Sequence, residues 1–544
     1  MKKVIFMKDI RVLDCTLRDG GRLIDCSFTE DNIIGIAKQL TKAGVDIIEL
    51  GFLRNIDSYA GGSTFFGRCE DADFYLRKID ESEIRNGVEY VLFIDYGLYD
   101  IGKIIPARDS MVTGIRYGFT KKNFIEHKNE IIAEISHIQK LGYHIYLQDV
   151  NTNGYEQQQL VEVLHFANEI HPCSFGIVDT YGSMYVDDLE QIWLIVDDIL
   201  TRDICVDFHS HNNMQMSFAL SQRLIQLARG HRNLIVDSTL LGMGKCAGNL
   251  NTELIVDYLS RKLNLDYNED DILDAIDRYL LPYQEVEKWG YSIPAFMAGV
   301  FQAHPNNVIY LTEKYRLNNR DIKYILSGIE KNLRQRYDYD NIARVYKKYQ
   351  AAKVEDSDAI QSLKKVFKGK EVVILVPGSS ISHYCDDIKQ YIAEKSPLVI
   401  CVNGPIEKLP YDYIFCANTI HWEKISDRVA RNRCILTSNI HVDVDGSYRV
   451  DYTSLIQEDS ELGDNTTIML LYLLKKLEVI SIVLAGFDGL RANARNYAGQ
   501  AVANMSSQTN YKRTNAEIKR LFQAFVKKIN GLVAIEFITP SLYE

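Results

Sequence analysis

The strongest constraint on the fold is an alternation of short apolar runs with longer amphipathic stretches between Val12 and Gly244. This alternation is typical of repeated strand–helix units that build a parallel sheet. Eight runs can be counted, at residues 12–19, 47–52, 89–94, 114–119, 144–150, 174–180, 205–211 and 234–241. Eight parallel strands close a (β/α)8 barrel, the TIM barrel, which usually takes about 250 residues. We therefore predict an α/β fold that begins with such a barrel.

The rest of the chain divides where this pattern changes. Residues 266–350 read mostly as helices, and we expect a helical extension that packs on a barrel of residues 8–265. The polar stretch 351–369 is the predicted linker. From 370 to 544, buried strand-like runs end in small or polar residues, which predicts a second, doubly wound, Rossmann-like α/β domain. A chain of 544 residues is long enough for two such cores.

Composition excludes several classes of partner. The net charge is -11 and no long run of Lys or Arg occurs, so nucleic acid is not an expected partner. No window approaches the roughly 20 apolar residues of a membrane-spanning helix, and the start has no apolar stretch long enough for a signal peptide. We therefore expect no membrane association and a cytoplasmic location. The ten scattered cysteines are expected to be reduced core thiols.

Three side chains at strand ends predict a metal site. Reactive groups of a parallel barrel gather where strands end, and Asp19 ends the first run while His209 and His211 end the seventh. Residues i and i+2 of a strand share a face, so both imidazoles can face the barrel mouth. Asp19 approaches from close by, because closure places the first strand beside the eighth. Two imidazoles and a carboxylate leave positions open for water or substrate, as in a catalytic site for one divalent metal, Mn, Mg, Zn or Co.

Polar residues near these three side chains suggest how the site binds and activates a substrate. Arg18 supplies a fixed positive charge beside the ion, and together they could hold a 2-oxo acid and stabilise its enolate. Glu49 and Gln148 lie at or near strand ends and are predicted to orient the ligands or the substrate. Thr180, the last residue of the sixth run, is predicted to contact the substrate.

Five segments carry a family resemblance: LDCTLRDGG, GVDIIELGF, GIVDTYGSMYVDDL, DFHSHNN and GMGKCAGNLNTE. Over about residues 8–300 they resemble the metal-dependent aldolase and lyase superfamily of 4-hydroxy-2-oxovalerate aldolase, hydroxymethylglutaryl-CoA lyase and isopropylmalate synthase. DTYGSMYVDDL and HSHNN are most similar to the 4-hydroxy-2-oxovalerate aldolase branch. The resemblance implies metal ligation by the same three residues, with Asn249 as a fourth ligand. It also implies an electrostatic role for Arg18 toward the substrate carbonyl.

The chain departs from this family where a general base is expected. The aldolase branch has a catalytic histidine shortly after RDG, and the synthase branch has Glu-Gln there; this chain has Gly21-Arg22. Arg22 cannot accept a proton at neutral pH, but its guanidinium suits a substrate carboxylate or phosphate, with a solvated loop arginine as the alternative. The resemblance offers Tyr291 and Cys246 as catalytic proton carriers, and Tyr181 is a third candidate.

The second domain offers a weaker candidate site. Gly378, Ser379 and Ser380 directly follow a strand-like run and precede an amphipathic helix, so they could receive a phosphate or carboxylate. A helix-capping turn is the alternative. Asn403 and Asp488 also follow strand-like runs. The region resembles Rossmann-like domains of bacterial surface-glycan enzymes, including sialyltransferase-like and pterin-pyrophosphokinase-like folds, which implies a nucleotide or sugar-phosphate ligand.

Three functions remain open from the sequence. The first is a carbon–carbon lyase that cleaves or forms a 4-hydroxy-2-oxo acid through a metal-stabilised pyruvate enolate, in surface-glycan metabolism and with an aldehyde as second partner. The second is an acyl-CoA-dependent Claisen synthase, which the missing Glu-Gln disfavours. The third is a degenerate barrel scaffold fused to a glycosyl or phosphoryl transferase, which the missing histidine favours. A homo-oligomer is expected in each case.

Overall fold

The computed structural model describes residues 9–79, 87–313, 317, 319–336, 338–350, 354–441, 445–457, 460, 462–491 and 511–544. The chain forms two compact units. The first runs to Ile309 and includes residues 330–337, and the second holds residues 310–329 and 338–544.

The first unit is built on a closed parallel barrel. Its strands are β1 Ile10–Asp14, β2 Ile47–Leu53, β3 Phe65–Phe66, β4 Glu89–Asp95, β5 Gly114–Thr120, β6 His144–Val150, β7 Ser174–Asp179, β8 Cys205–Ser210 and β9 Leu234–Ser238. They pair in the order β1-β9-β8-β7-β6-β5-β4-β2, and β1 also pairs with β2, which closes a ring of eight; β3 lies outside it beside β2. The predicted TIM barrel is confirmed, and its strand ends meet at one mouth.

Helices connect these strands and continue past them. They are α1 Glu30–Ala43, α2 Cys69–Leu76, α3 Lys121–Lys140, α4 Gln157–Ile170, α5 Val186–Ile199, α6 Ser217–Ala228, α7 Thr252–Leu263, α8 Glu269–Ala275, α9 Leu281–Val286, α10 Ile293–Val300, α11 Pro305–Glu313, α12 Asn319–Ser327, α13 Lys331–Arg334 and α14 Tyr339–Gln350. In α1, Thr29 caps the first turn by accepting a hydrogen bond from the Asn32 amide, and Gly44 ends the helix with a left-handed backbone. Of the predicted helical extension, residues 310–329 and 338–350 group with the second unit.

The second unit is a parallel sheet with helices on both faces. Its strands are β10 Glu371–Leu375, β11 Leu398–Val402, β12 Tyr413–Cys416, β13 Cys434–Thr437, β14 Tyr448–Val450, β15 Ser481–Ala485 and β16 Ala534–Phe537, paired in the order β14-β13-β12-β11-β10-β15-β16. Its helices are α15 Ser357–Phe367, α16 Ser380–His383, α17 Cys385–Lys395, α18 Thr419–Ile425, α19 Thr466–Lys476 and α20 Tyr511–Ile529. Alternate residues of β10 enter two separate apolar cores, one on each face of the sheet. The second α/β domain is therefore present.

Two boundaries differ from the sequence prediction. The first run was expected to remain a strand to residue 19, but β1 ends at Asp14, and the amides of Arg18 and Asp19 both turn back to the carbonyl of Cys15. Residues 351–353 of the predicted linker lie outside the described part of the chain. Residues 357–367 form α15, whose Leu363 and Phe367 are buried in a core of the second unit.

All ten cysteines are free, and seven of them are buried. Across the described residues, every helix is too short or too polar to cross a bilayer.

Candidate metal centre

Asp19, His209 and His211 reach the barrel mouth from two segments. Asp19 lies in the tight turn after β1, immediately before a 3-10 helix of residues 20–24. His209 is on β8, and His211 follows that strand directly, held by a hydrogen bond from its amide to the carbonyl of Asp179. The i, i+2 spacing places both imidazoles on the same side of the strand, with ring centroids 5.2 Å apart.

The three side chains converge closely enough to share one cation. Nε2 of His211 lies 3.7 Å from Oδ2 of Asp19, and Nε2 of His209 lies 4.0 Å from the same oxygen. One potential ligand atom from each residue lies within 4.8 Å of the others. Two donors that each lie about 2.1 Å from one ion are at most about 4.2 Å apart, so both distances to Asp19 suit a shared ion.

Electrostatics keep these groups in the states that bind a cation. Burial lowers the pKa of His209 and of His211 to about 4, so both imidazoles are neutral at pH 7. Burial alone would raise the pKa of Asp19, but Arg18 and the two imidazoles hold it well below its usual range. Nδ1 of His209 lies 2.9 Å from Oδ2 of Asp237. When Nδ1 donates to that carboxylate, the lone pair of Nε2 is left for a metal.

A buried ionic network lies under the site. Arg116, fully buried on β5, donates to Glu49 and Asp207 at 3.0 and 3.2 Å and also to Asp237. Arg18 donates to Oε2 of Glu49 at 2.7 Å and to Oδ1 of Asp19 at 2.6 Å. The network therefore ties the strand that carries His209 to the turn that carries Asp19.

The charges of this network suit a divalent cation. Arg18 and Arg116 provide two positive charges against four carboxylates, which leaves a deficit of two when all four are ionised. The carboxylates are Asp19, Glu49, Asp207 and Asp237, all buried. Burial and the neighbouring Asp237 raise the pKa of Asp207 to about 7, which reflects this excess of negative charge. A buried charge excess of this kind is costly unless a cation balances it.

Asn249 supplies a further donor atom. Its Nδ2 donates to Oδ2 of Asp19 and to the carbonyl of Met243, both at 3.0 Å. Its Oδ1 is buried and has no hydrogen-bond partner among the described residues, so this oxygen can ligate a cation. Gly248 makes the turn feasible, because its φ is +75° and a Cβ there would lie 1.9 Å from the carbonyl oxygen of Gly242.

The other residues predicted to act at the barrel mouth differ from one another in their contacts and exposure. Nε2 of Gln148 donates to Asp207 at 2.6 Å, so Gln148 contacts the network rather than the open mouth. Nε of Arg22 lies 3.4 Å from Oδ1 of Asp19, and its side chain is 41% exposed. Thr180 follows β7, and its buried hydroxyl finds no hydrogen-bond partner in the described part of the chain.

The expected proton carriers receive less support. Tyr291 is exposed on the segment before α10. Burial raises the pKa of the Cys246 thiol to about 11, which leaves little thiolate at pH 7. Burial also raises the pKa of Tyr181 to about 12, and its hydroxyl donates to the carbonyl of Gln335 at 3.3 Å. None of these residues therefore stands out as the base.

In the second unit, Asp488 occupies the predicted anion-binding turn. Its carboxylate accepts a 2.7 Å hydrogen bond from the Ser380 amide, and the hydroxyls of Ser379 and Ser380 also donate to it. Gly378 lies against the carbonyl of Gly486, where a Cβ would be 2.1 Å from the oxygen. A ligand anion would compete with Asp488 for these donors. Asn403, after β11, has a buried Oδ1 without a partner in the described residues.

Sequence reasoning missed the polar residues of the barrel interior. Arg116, Asp207 and Asp237 each lie inside a buried strand. Asp207 also stands two residues before His209, so strand periodicity places both on the interior face. A charged residue in a buried strand, in register with the histidines, is the signal that would have found them.

Comparisons with known proteins find relatives of the barrel. Residues 97–277 match the HMGL-like family model. The barrel contains an HMGL-like domain. A 4-hydroxy-2-oxovalerate aldolase of Moorella thermoacetica is 25% identical over 324 residues, covering 58% of this chain and 90% of the relative. An oxaloacetate decarboxylase of Mycobacterium tuberculosis is 25% identical over 266 residues, covering 48% of this chain and 74% of the relative.

Among solved structures, the hydroxymethylglutaryl-CoA lyase of Pseudomonas aeruginosa is 16% identical and matches with a TM-score of 0.41. The match covers 50% of this chain and 92% of that lyase. The family-model match and the aldolase relatives support a lyase enzyme.

Proposed function

We propose that the barrel is a divalent-metal-dependent carbon–carbon lyase that cleaves or forms a 4-hydroxy-2-oxo acid. The observation that carries the proposal is the convergence of Asp19, His209 and His211 at the barrel mouth beside the fixed guanidinium of Arg18. Relatives named 4-hydroxy-2-oxovalerate aldolase, which this chain matches over about nine tenths of their length, favour this reaction over a Claisen condensation.

Asp19, His209 and His211 would hold the cation, with Oδ1 of Asn249 as a fourth donor. Imidazole nitrogens and carboxylate oxygens suit Mn²⁺, Zn²⁺ and Co²⁺ and also admit Mg²⁺. When bound, the cation supplies Lewis acidity toward the carbonyl of a 2-oxo acid.

The protein's own contribution is electrostatic. In the cleavage direction the C4 hydroxyl loses its proton to solvent, the C3–C4 bond breaks, and C4 becomes the carbonyl carbon of the released aldehyde. The electron pair of the broken bond moves to the C2 oxygen of the resulting enolate, and a proton taken up from solvent at C3 then gives pyruvate. Arg18 stabilises the negative oxygen, because Glu49 and Asp19 hold its guanidinium in place and no reorganisation is needed as charge develops. The hydroxyl of Thr180 is available to donate to the substrate carboxylate.

The test is pyruvate release from 4-hydroxy-2-oxopentanoate by the full-length protein with added Mn²⁺ or Mg²⁺. We expect release that chelation with EDTA abolishes and that returned metal restores. His209→Ala is expected to lose roughly a hundredfold or more in kcat/KM, because it removes one of the three groups that would hold the cation. His165→Ala, which changes an exposed histidine on α4, is the matched control and should retain activity.

Two results would contradict the proposal. One is equal pyruvate release by the wild type and His209→Ala, which would place the chemistry elsewhere. The other is the absence of release from every 4-hydroxy-2-oxo acid tried with each of the four metals, which would favour a barrel that acts as a scaffold.

A further inference from the structure

Two arginines beside the metal centre contact one aromatic ring. The guanidinium carbons of Arg22 and Arg54 lie 4.6 and 4.5 Å from the ring centroid of Phe52. Phe52 is itself held in place by Phe65 and Phe93, with ring centroids 5.5 and 5.6 Å away. Stacking on an aromatic face orients a guanidinium and leaves its N–H edge free for a ligand.

One carboxylate serves both arginines. Asp95, the last residue of β4, accepts a hydrogen bond from Nη2 of Arg54, and Nη2 of Arg22 lies 3.8 Å from the same oxygen. Arg54 also donates to the carbonyl of Leu53 at 3.1 Å, and its side chain is only 17% exposed. The two guanidinia therefore share Asp95 as a partner, and Arg54 is held in a defined position.

This arginine pair is contiguous with the metal centre. Arg22 belongs to the turn after β1 that carries Asp19, and its Nε lies 3.4 Å from Oδ1 of Asp19. Arg54 directly follows β2 and therefore lies on the next strand end of the mouth. Burial lowers the pKa of Arg54, and the nearby positive charge of Arg22 lowers it further, which agrees with two guanidinia held close together.

We propose that Arg22 and Arg54 bind a second anionic group of the substrate, a phosphate or a carboxylate, on the part that is released as the aldehyde. This inference rests on the proposed lyase function and names its substrate class. The 2-oxo acid end would lie at the metal centre, and the anionic far end would lie between the two guanidinia. Paired guanidinia suit both anions, because each offers parallel N–H donors to two oxygens.

The test compares charged and neutral aldehydes in the addition of pyruvate with Mn²⁺ present. D-glyceraldehyde 3-phosphate is paired with D-glyceraldehyde, and succinic semialdehyde is paired with butyraldehyde. The effects of a phosphate and of a carboxylate on kcat/KM are thus measured separately. The wild type is expected to prefer the charged member of at least one pair in kcat/KM. In Arg54→Met this preference should fall roughly tenfold to hundredfold, the range for a hydrogen bond to a charged group.

Internal controls separate binding from folding. The rate with the neutral aldehyde shows whether Arg54→Met retains its fold. Arg108→Met removes an equally positive but 84% exposed side chain in the loop before β5, and it should leave the preference unchanged.

The inference is overturned when the wild type shows no preference for either charged aldehyde. It is also overturned when Arg54→Met slows charged and neutral aldehydes equally, because Arg54 then only supports the fold. Metal-dependent exchange of the pyruvate methyl protons in D2O measures formation of the pyruvate enolate, the lyase step that needs no aldehyde. If exchange occurs but the enzyme does not prefer charged aldehydes, only the anion-binding role of Arg22 and Arg54 is rejected. If no exchange occurs, the lyase function is rejected together with that role.

Discussion

Oδ2 of Asp237 lies 2.9 Å from Nδ1 of His209, on the side of the imidazole opposite the nitrogen that faces Asp19. A carboxylate in this position fixes the tautomer and the ring plane of a metal-binding histidine. Asp237 is itself held by Arg116, so the orientation of His209 depends on a fully buried residue of β5 in the barrel interior.

Asp237→Asn is expected to weaken metal binding. The amide keeps the size of the side chain but removes the charge that favours a proton on Nδ1, and loss of such a partner typically costs tenfold to a hundredfold, roughly, in metal affinity. The measurement is the Kd for Mn²⁺ by isothermal titration. Asp198→Asn, an exposed change on α5, is the control. An unchanged Kd in Asp237→Asn would show that Asp237 does not position the imidazole.

The barrel could be predicted because the sequence repeats its signal eight times. Each of the eight runs overlaps a barrel strand, and a single misplaced boundary does not change the count. The first run shows why the ends of strands are harder to predict than their number. Cys15 and Leu17 are buried although they lie in a turn, so an apolar pattern alone does not separate a strand from a buried turn.

The convergence of Asp19, His209 and His211 could also be predicted, whereas the surrounding charges could not. These three residues end or directly follow apolar runs in a recognisable spacing. Arg54 and Asp95, by contrast, are single charged residues at strand ends, and such residues are usually solvated. Their contact depends on the pairing of β2 with β4, which residue spacing does not reveal because β3 and α2 intervene in the chain.

Arg116→Met is expected to destabilise the barrel by about 3–5 kcal/mol, the usual cost of removing one partner from a buried ion network. Glu49 would keep Arg18 as a partner, but Asp207 and Asp237 would lose their guanidinium. The free energy of unfolding in urea, measured without added metal, tests this. Arg261→Met, on the exposed side of α7, should leave it unchanged. A loss below about 1 kcal/mol would mean that the network is not strongly stabilising.

Asp149 is expected to make barrel stability depend on pH. Burial raises the pKa of this carboxyl to about 8, although the Tyr155 hydroxyl donates to it at 2.6 Å. The pKa in the unfolded chain is about 3.9, so the folded state holds one more proton between about pH 4 and 8. Stability therefore falls as the pH rises through this window, by about 1.4 kcal/mol per unit.

Asp149→Asn should remove this contribution, because the amide mimics the protonated acid and keeps an oxygen for Tyr155. The free energy of unfolding of the wild type relative to the variant should fall by roughly 2–3 kcal/mol between pH 5.5 and 7.5. Parallel pH profiles for the two proteins would show instead that Asp149 is ionised in the folded state throughout this range.

Asp488→Ala is expected to destabilise the second unit by about 1–2 kcal/mol, since the Ser380 amide and two hydroxyls lose their acceptor at the start of α16. The effect is confined to this turn, because the Asp488 carboxylate accepts hydrogen bonds that solvent would otherwise accept. Differential scanning calorimetry should show a lower melting temperature for one transition, with the other unaltered. Asp386→Ala, at an almost fully exposed carboxylate on α17, is the matched control. If both variants melt like the wild type, Asp488 does not secure this turn, and its donors are open to a ligand anion.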